Sequence, residues 1–243
     1  MVSKVRLYVD HPLGQGQSVP LSREQSHYLF GVMRLEEGVV LSLFNGADGE
    51  WDATVEKAGK KGGILLCQIQ TRPLQPPPDL WLLFAPIRKE RTAFIVEKSV
   101  EMGAARICPV QTDYTQSANR IRQNKLQAHA VEAAEQCGGT FVPPVDDLKK
   151  LDRFLADWPV DRQLMFCDEF LIGNPVGLPD ISGAWAILIG PEGGFSPAER
   201  DRLRSLPFAH PVSLGPRILR ADTAAVAALT VWQQTLGDWK AND

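Results

Sequence analysis

Short hydrophobic runs separated by turn residues fill the first third of the chain. VRLYV (5–9), VVLSLF (39–44), EWDATVEKA (50–58) and GILLCQIQ (63–70) read as strands. Asn45-Gly46 with Asp48-Gly49, and Lys60-Lys61-Gly62-Gly63, supply hairpin turns. One helix interrupts the strands. Ser22 and Gln25 have capping-box spacing, and the helix runs through His27-Tyr28-Leu29 toward Val32. Several short strands and one helix in about 70 residues predict a small barrel.

TRPLQPPPD (71–79) breaks this rhythm. Its three consecutive prolines donate no backbone hydrogen bonds and favour a stiff, extended linker. Two domains are therefore expected, 1–72 and 76–243. Beyond the linker, apolar strands alternate with helices. The strands are LWLLFAP (80–86), RICPV (106–110), QLMFCD (163–168), AWAILIG (184–190) and PVSLG (211–215). The helices are 88–102, 120–137, 146–157, Pro197–Leu206 with Ser196 as cap, and Asp222–Leu236. Phe94, Ile95, Lys98 and Met102 recur at helical steps, and Gly103 ends that helix. Trp81, Phe84 and Phe94 lie inside apolar segments and are expected in the core. This alternation predicts an α/β domain with a mostly parallel, covered sheet.

Composition narrows the classes. The 243 residues are 44% hydrophobic and 23% charged, as in a soluble globular chain. A net charge of −3 argues against coating nucleic acid by bulk charge and leaves a local basic face open. Residues 88–130 hold eight basic residues against four acidic ones, and Asn119–Lys125 has three positive charges and no acid. Cys67, Cys108, Cys137 and Cys167 are far apart, with neither zinc nor disulfide-framework spacing. Reduced thiols, no metal and a cytoplasmic location are expected. The start, MVSKVRLYVD, lacks an apolar signal core, and no run of about 18 apolar residues exists, so no membrane association is expected.

Two strand ends carry the candidate chemistry, because open parallel sheets bind ligands beyond the carboxyl ends of their strands. The first is Ile189-Gly190-Pro191-Glu192-Gly193-Gly194-Phe195-Ser196-Pro197. The second is Leu214-Gly215-Pro216-Arg217-Ile218-Leu219-Arg220-Ala221-Asp222-Thr223. Neither contains a dinucleotide or P-loop phosphate fingerprint, and Glu192 would repel a pyrophosphate. That disfavours NAD and ATP, and with them a Rossmann oxidoreductase. A phosphate-free cofactor carrying adenosine and a positive centre suits the loops better. The bland alternatives are a tight strand-to-helix turn for the first and two solvated arginines for the second.

GPEGGFSPAE and SLGPRILRADTA, in this order, resemble the signature segments of the ribosomal RNA small subunit methyltransferase E family. This family belongs to the SPOUT class of S-adenosylmethionine-dependent methyltransferases. Further back, His27-Tyr28-Leu29…Val32-Met33-Arg34 resembles the family's N-terminal helix motif. Arg88…Arg91…Glu97-Lys98-Ser99-Val100-Glu101-Met102-Gly103 and Glu132-Ala133-Ala134-Glu135-Gln136-Cys137 resemble two internal segments. Gly138-Gly139-Thr140 stands where many relatives carry an arginine, Arg88 where lysine is frequent, and Asp222 where glutamate is frequent.

The resemblance implies a PUA-like RNA-binding barrel at 1–72 and a SPOUT-type domain with a trefoil knot at 76–243. It implies methylation of uridine N3 in 16S rRNA, with S-adenosylmethionine as cofactor, the 30S subunit as partner, and a homodimer. Gly190, Pro191, Gly193, Gly194, Leu214, Gly215, Ile218 and Leu219 are the expected cofactor-binding residues. Arg220 is expected to face uracil or a phosphate, and Glu192 is the candidate base or orienting group, with helix capping as its alternative. Arg34, Arg88, Arg91, Lys98, Arg120 and Arg122 are the expected RNA contacts. His27 reads as structural or as RNA-facing on a face shared with Arg34. Asp222 can cap the last helix. The alanines at 224, 225, 227 and 228 permit close helix approach, within the chain or across a dimer. A different RNA substrate, or an RNA-binding module without catalysis, are the rival readings.

Overall fold

The computed structural model describes residues 5–59, 62–116, 118–171 and 177–240; the side chain of Arg120 is outside that description. The chain divides into two units, residues 1–76 with 134–142, and residues 77–133 with 143–243.

The first unit contains β1 (Arg6–Tyr8), β2 (Ser18–Pro20), α1 (Arg23–Ser26), β3 (Val40–Phe44), β4 (Glu50–Lys57) and β5 (Ile64–Arg72). The sheet order is β1-β3-β4-β5-β2, with β1 parallel to β3 and the other pairings antiparallel. Period-two alternation sends Leu7, Val9, Val19, Leu41, Leu43, Ala53, Val55, Leu65 and Cys67 into one core with Leu29, so the sheet curls around a single interior. Asn45 builds the β3–β4 turn by accepting from the amides of Ala47 and Asp48. The second expected turn includes Lys60 and Lys61, which lie outside the described residues. Sequence reasoning missed β2. It also ended β5 too early, since the ladder to β4 continues to the pair Glu50–Arg72.

Ser22 and Gln25 form the expected capping box. The continuation is different. Residues His27–Val32 form a π-helix, in which the Met33 amide donates to the Tyr28 carbonyl. The helix ends before Arg34, which sits at φ +56°. His27 and Arg34 therefore do not share a helix face, although both are exposed.

Segment 134–142 completes this unit. Arg6 donates to Glu50 and to the carbonyls of Ala134, Glu135 and Gly139, while Arg72 donates to Glu50 and Gly138. Gly138 and Gly139 thus present their carbonyls to two arginines. Burial alone would raise the Glu50 carboxyl, but the hydrogen bonds and charges of Arg72 and Arg6 outweigh it and hold Glu50 below its ordinary value of 4.5. A depressed carboxyl stabilises the fold above its unfolded-state value and loses that contribution as pH falls through the folded one. The melting temperature should therefore drop on acidification below 4.5. Glu50→Gln, melted across the same range, should be less stable at neutral pH and show a shallower drop; parallel curves would contradict this role.

The second unit contains β6 (Leu80–Phe84), α2 (Lys89–Glu101), β7 (Arg106–Gln111), β8 (Lys149–Lys150), α4 (Leu151–Ala156), β9 (Gln163–Cys167), β10 (Trp185–Ile189), α5 (Pro197–Ser205), β11 (Ala209–Val212) and α6 (Ala221–Thr235). Helix α3 (Gln123–Cys137) begins here, and its last four residues group with the first unit. The sheet order is β11-β9-β10-β6-β7-β8, and every pairing is parallel, as the alternation predicts. Its central strands β6 and β10 are almost wholly buried. The segment 146–150, expected to be helical, instead extends the sheet. Val145 bridges Ile107, and Lys149 and Lys150 pair with Val110 and Gln111, which supplies partners to the free edge of β7. Phe94 is 38% exposed, contrary to expectation; α2 turns Ile95, Val96, Ser99 and Val100 inward. Phe84 is buried and Trp81 packs against the core.

Arg162 locks the start of the sheet. Its guanidinium pairs with both oxygens of Asp79, donates to the Trp185 carbonyl at 2.7 Å and lies 3.6 Å over the Trp81 ring. A buried charge held by a bidentate carboxylate, a carbonyl and an aromatic face is compensated for its lost hydration. Among the described residues, no helix is long and apolar enough to cross a membrane. No cluster of His, Cys, Asp and Glu able to hold a metal is found there either.

Candidate active site

Because β10, β9 and β11 are adjacent and parallel, their carboxyl ends open on the same edge of the sheet. Beyond that edge lies a cavity of about 210 Å³. It is lined by the loop after β10, by Cys167, Asp168 and Glu169 after β9, and by the loop after β11. The two glycine-bearing loops singled out from the sequence therefore meet. Gly190, Pro191, Glu192, Gly194, Leu214, Gly215, Ile218, Leu219 and Arg220 all line the cavity. Gly193 does not; it lies against Tyr114, the nearest neighbour of a Cβ placed there.

The first loop is held by its flanks. The Gly194 amide donates to the Pro191 carbonyl at 2.9 Å, with Gly194 at φ +69°. A Cβ at Gly194 would overlap the Glu169 carboxylate, which also accepts from the Phe195 amide at 3.4 Å. A Cβ at Gly190 would come within 2.8 Å of the Phe195 ring. That ring is buried and packs edge-on against Phe166, anchoring the loop in the core. Ser196 caps α5 with Glu199 in a reciprocal capping box, and its hydroxyl donates to Asp113 at 2.6 Å. Ser196, not Glu192, is the cap, so the capping alternative for Glu192 falls away.

The second loop is irregular. Gly215 takes φ +111°, and Ile218 is 78% exposed. Among the described residues the amides of Ile218 and Leu219 have no hydrogen-bond partner. Backbone polar groups lining a cavity without partners are the donors a bound ligand would satisfy. Arg220 occupies the N-cap of α6 without a side-chain cap bond, and its guanidinium makes no hydrogen bond or ion pair among the described residues. Helix α6 opens at Ala221, so Asp222 is a first-turn residue and not the cap; it accepts from the Thr223 amide. A carboxylate there complements the helix dipole.

Arg91 joins the loops. Its guanidinium lies 3.7 Å from Glu192 and 3.7 Å from Asp222. Arg34 and Arg88 are exposed, and Lys98 pairs with Glu101 at 2.7 Å. Arg122 donates to the carbonyls of Asn119 and Ile121. The Arg120 side chain lies outside the described residues.

The end of β9 is what sequence reasoning missed. Asp168 is buried, pairs with Arg204 and accepts from the Phe170 amide. Burial pushes the Cys167 thiol up to about 12, so it lines the cavity as a neutral, weakly polar group. QLMFCD was legible as a strand, but its place between β10 and β11 is a property of sheet order, which no local signal encodes.

The residues fit a sulfonium-bearing adenosine derivative. Carboxylates at Glu169 and Glu192 suit a positive centre, and the walls Ile189, Val212 and Leu214 are apolar. Comparison with known proteins agrees. Residues 75–233 match the RNA methyltransferase domain family, and residues 21–66 match the RNA methyltransferase PUA domain family. The ribosomal RNA small subunit methyltransferase E of Buchnera aphidicola is 28% identical, over 96% of this chain and 97% of its own. The crystal structure of that enzyme from Neisseria gonorrhoeae, bound to S-adenosyl methionine, superposes with a TM-score of 0.85 at 28% identity. It covers 97% of this chain and 99% of the other. A Legionella pneumophila structure in complex with bound S-adenosylmethionine gives a TM-score of 0.87 at 31% identity, covering 98% of this chain and 100% of the other. A chain matched along nearly its whole length in both sequence and fold, with its two glycine-bearing loops facing one cavity, belongs to the ribosomal RNA small subunit methyltransferase E family.

Proposed function

We propose that this protein uses S-adenosylmethionine to methylate N3 of a uridine in the 16S rRNA of the small ribosomal subunit, acting in the cytoplasm as a homodimer. The observation that carries the reading is the convergence of the loops after β10 and β11 on one cavity. Bound there, S-adenosylmethionine supplies an electrophilic methyl group on a positively charged sulfur.

The chain's own residues do the rest. Gly190, Pro191, Gly194, Leu214, Gly215, Ile218 and Leu219 hold the cofactor through backbone groups and apolar walls. Gly193 lies outside the cavity lining, beside Tyr114. Uracil N3 carries a proton, so the reacting atom must lose it and the resulting charge must be stabilised. Arg220, with a free guanidinium at the cavity, supplies that stabilisation to the uracil oxygens. Glu192 is the carboxylate positioned to accept or orient the proton, and Arg91 fixes its place relative to Asp222. Arg88, Arg120 and Arg122 offer positive charge to the RNA backbone from the second unit, and Arg34 does so from the first, whereas Arg91 and Lys98 are engaged by carboxylates. Helix α6 buries Ala225, Ala228, Leu229 and Trp232. Its remaining stripe of Ala224, Ala227 and Val231 is narrow enough for a second copy to approach closely.

Incubating the purified protein and S-adenosylmethionine with 30S subunits, and digesting the rRNA to nucleosides for mass spectrometry, tests the reading. N3-methyluridine should appear in the digest and should be missing when S-adenosylmethionine is left out. Methylation confined to tRNA, or to another base atom, would replace this substrate with a different one.

A further inference from the structure

A second cavity, of about 650 Å³, opens in the same unit between the start of α2 and the first three turns of α3. Its floor includes the buried apolar side chains of Ile87 and Leu126. Its rim carries Lys89, Arg122 and Lys125, all exposed, against one acidic lining residue, Glu132. Lys89 and Lys125 make no side-chain hydrogen bond or ion pair among the described residues, unlike Lys98 and Lys149, which are paired with carboxylates. Arg122 is held in place by the carbonyls of Asn119 and Ile121. The N-cap of α2, Arg88, gives no side-chain cap, so the helix's first amides stay available.

These features converge on one ligand chemistry. Cations and the N-terminus of α2 attract an anion. The apolar floor suits a flat, weakly polar group, and nucleobases can be held against apolar side chains. A phosphate joined to a base is a nucleotide. Helix α2 also connects this cavity to the methyl-transfer cavity: Lys89 faces one, and Arg91, two residues on, reaches Glu192 at the other. We infer that the second cavity is a subsite for a nucleotide flanking the methylated one in the same RNA strand. Its phosphate meets Lys89, Arg122 and Lys125, and its base rests on Ile87 and Leu126. The inference rests on the RNA methyltransferase reading above.

The test uses the full-length protein, Lys89→Glu, Lys125→Glu and the double variant. A fluorescently labelled single-stranded RNA nonamer is titrated at several KCl concentrations, S-adenosylmethionine binding is measured by calorimetry, and melting temperatures are recorded. The double variant should bind RNA more than about tenfold more weakly, with a salt slope reduced by about 0.7 for each phosphate that is no longer neutralised. S-adenosylmethionine affinity and melting temperature should match the unaltered protein. An unchanged RNA affinity and slope in the double variant would overturn the subsite. So would uridine monophosphate binding as tightly as the nonamer, which would make the cavity a free-nucleotide site. An unaltered protein that binds the nonamer but not S-adenosylmethionine would sink the methyl-transfer reading instead, and the charge variants would still decide the cavity.

Discussion

Arg220→Ala should lower RNA methylation by about 10²–10³-fold while leaving S-adenosylmethionine affinity within about threefold. The asymmetry follows from geometry. The Arg220 backbone opens α6, but its side chain supplies no cap and has no partner among the described residues. Truncation therefore removes little from the fold. The loss falls on whatever the guanidinium meets when RNA arrives, and charge developing on a uracil oxygen is the interaction that gains most in the transition state. Single-turnover methylation beside cofactor calorimetry separates the two effects. Arg220→Lys keeps the charge without the planar fork and should recover part of the rate. Turnover equal to that of the unaltered protein would remove Arg220 from the chemistry, while a parallel loss of cofactor binding would move it from substrate to cofactor.

Gly194→Ala should weaken S-adenosylmethionine binding more than tenfold, through two separable causes. The left-handed backbone at this position costs an alanine about 1–2 kcal/mol. In addition, its Cβ would overlap the Glu169 carboxylate, so either that side chain or the bend must shift. Glu169 itself lines the cavity, and a shift in either reshapes the wall. Pairing Gly194→Ala with Glu169→Ala removes the overlap and leaves the backbone cost. The double variant should then lose less affinity than the two single losses add up to, because Glu169→Ala also removes a carboxylate from the cavity wall. Calorimetry and thermal melting of the two single variants and the double variant close the cycle. Strict additivity would mean that the overlap costs nothing, and only the backbone strain would survive as a cause.

Much of the fold was readable because its elements carry local signatures. Ser22 with Gln25, and Ser196 ahead of Pro197, announce helix starts by chemistry alone, and the structure forms a capping box at each. The apolar runs at 80–86 and 184–190 fit strands covered on both faces, and β6 and β10 occupy them. What escaped depended on neighbours distant in sequence. Lys149 and Lys150 become a strand because β7 needs partners. The π-register of His27–Val32 leaves no mark on apolar spacing over so short a stretch. The candidate site divides the same way. Glycine-rich bends and paired arginines stand out in one dimension. Glu169 and the bridging role of Arg91 appear only once sheet order brings β9 between the bends and α2 beside them.

The arginines that clasp Glu50 have a bearing on synthesis. Arg6 and Arg72 leave the ribosome early, yet the carbonyls of Ala134, Glu135, Gly138 and Gly139 that they require are translated much later. The N-terminal unit is thus finished out of chain order. Cutting the gene at its proline run would leave both guanidinium groups with Glu50 alone, stripped of the carbonyls that the remainder of the polypeptide brings.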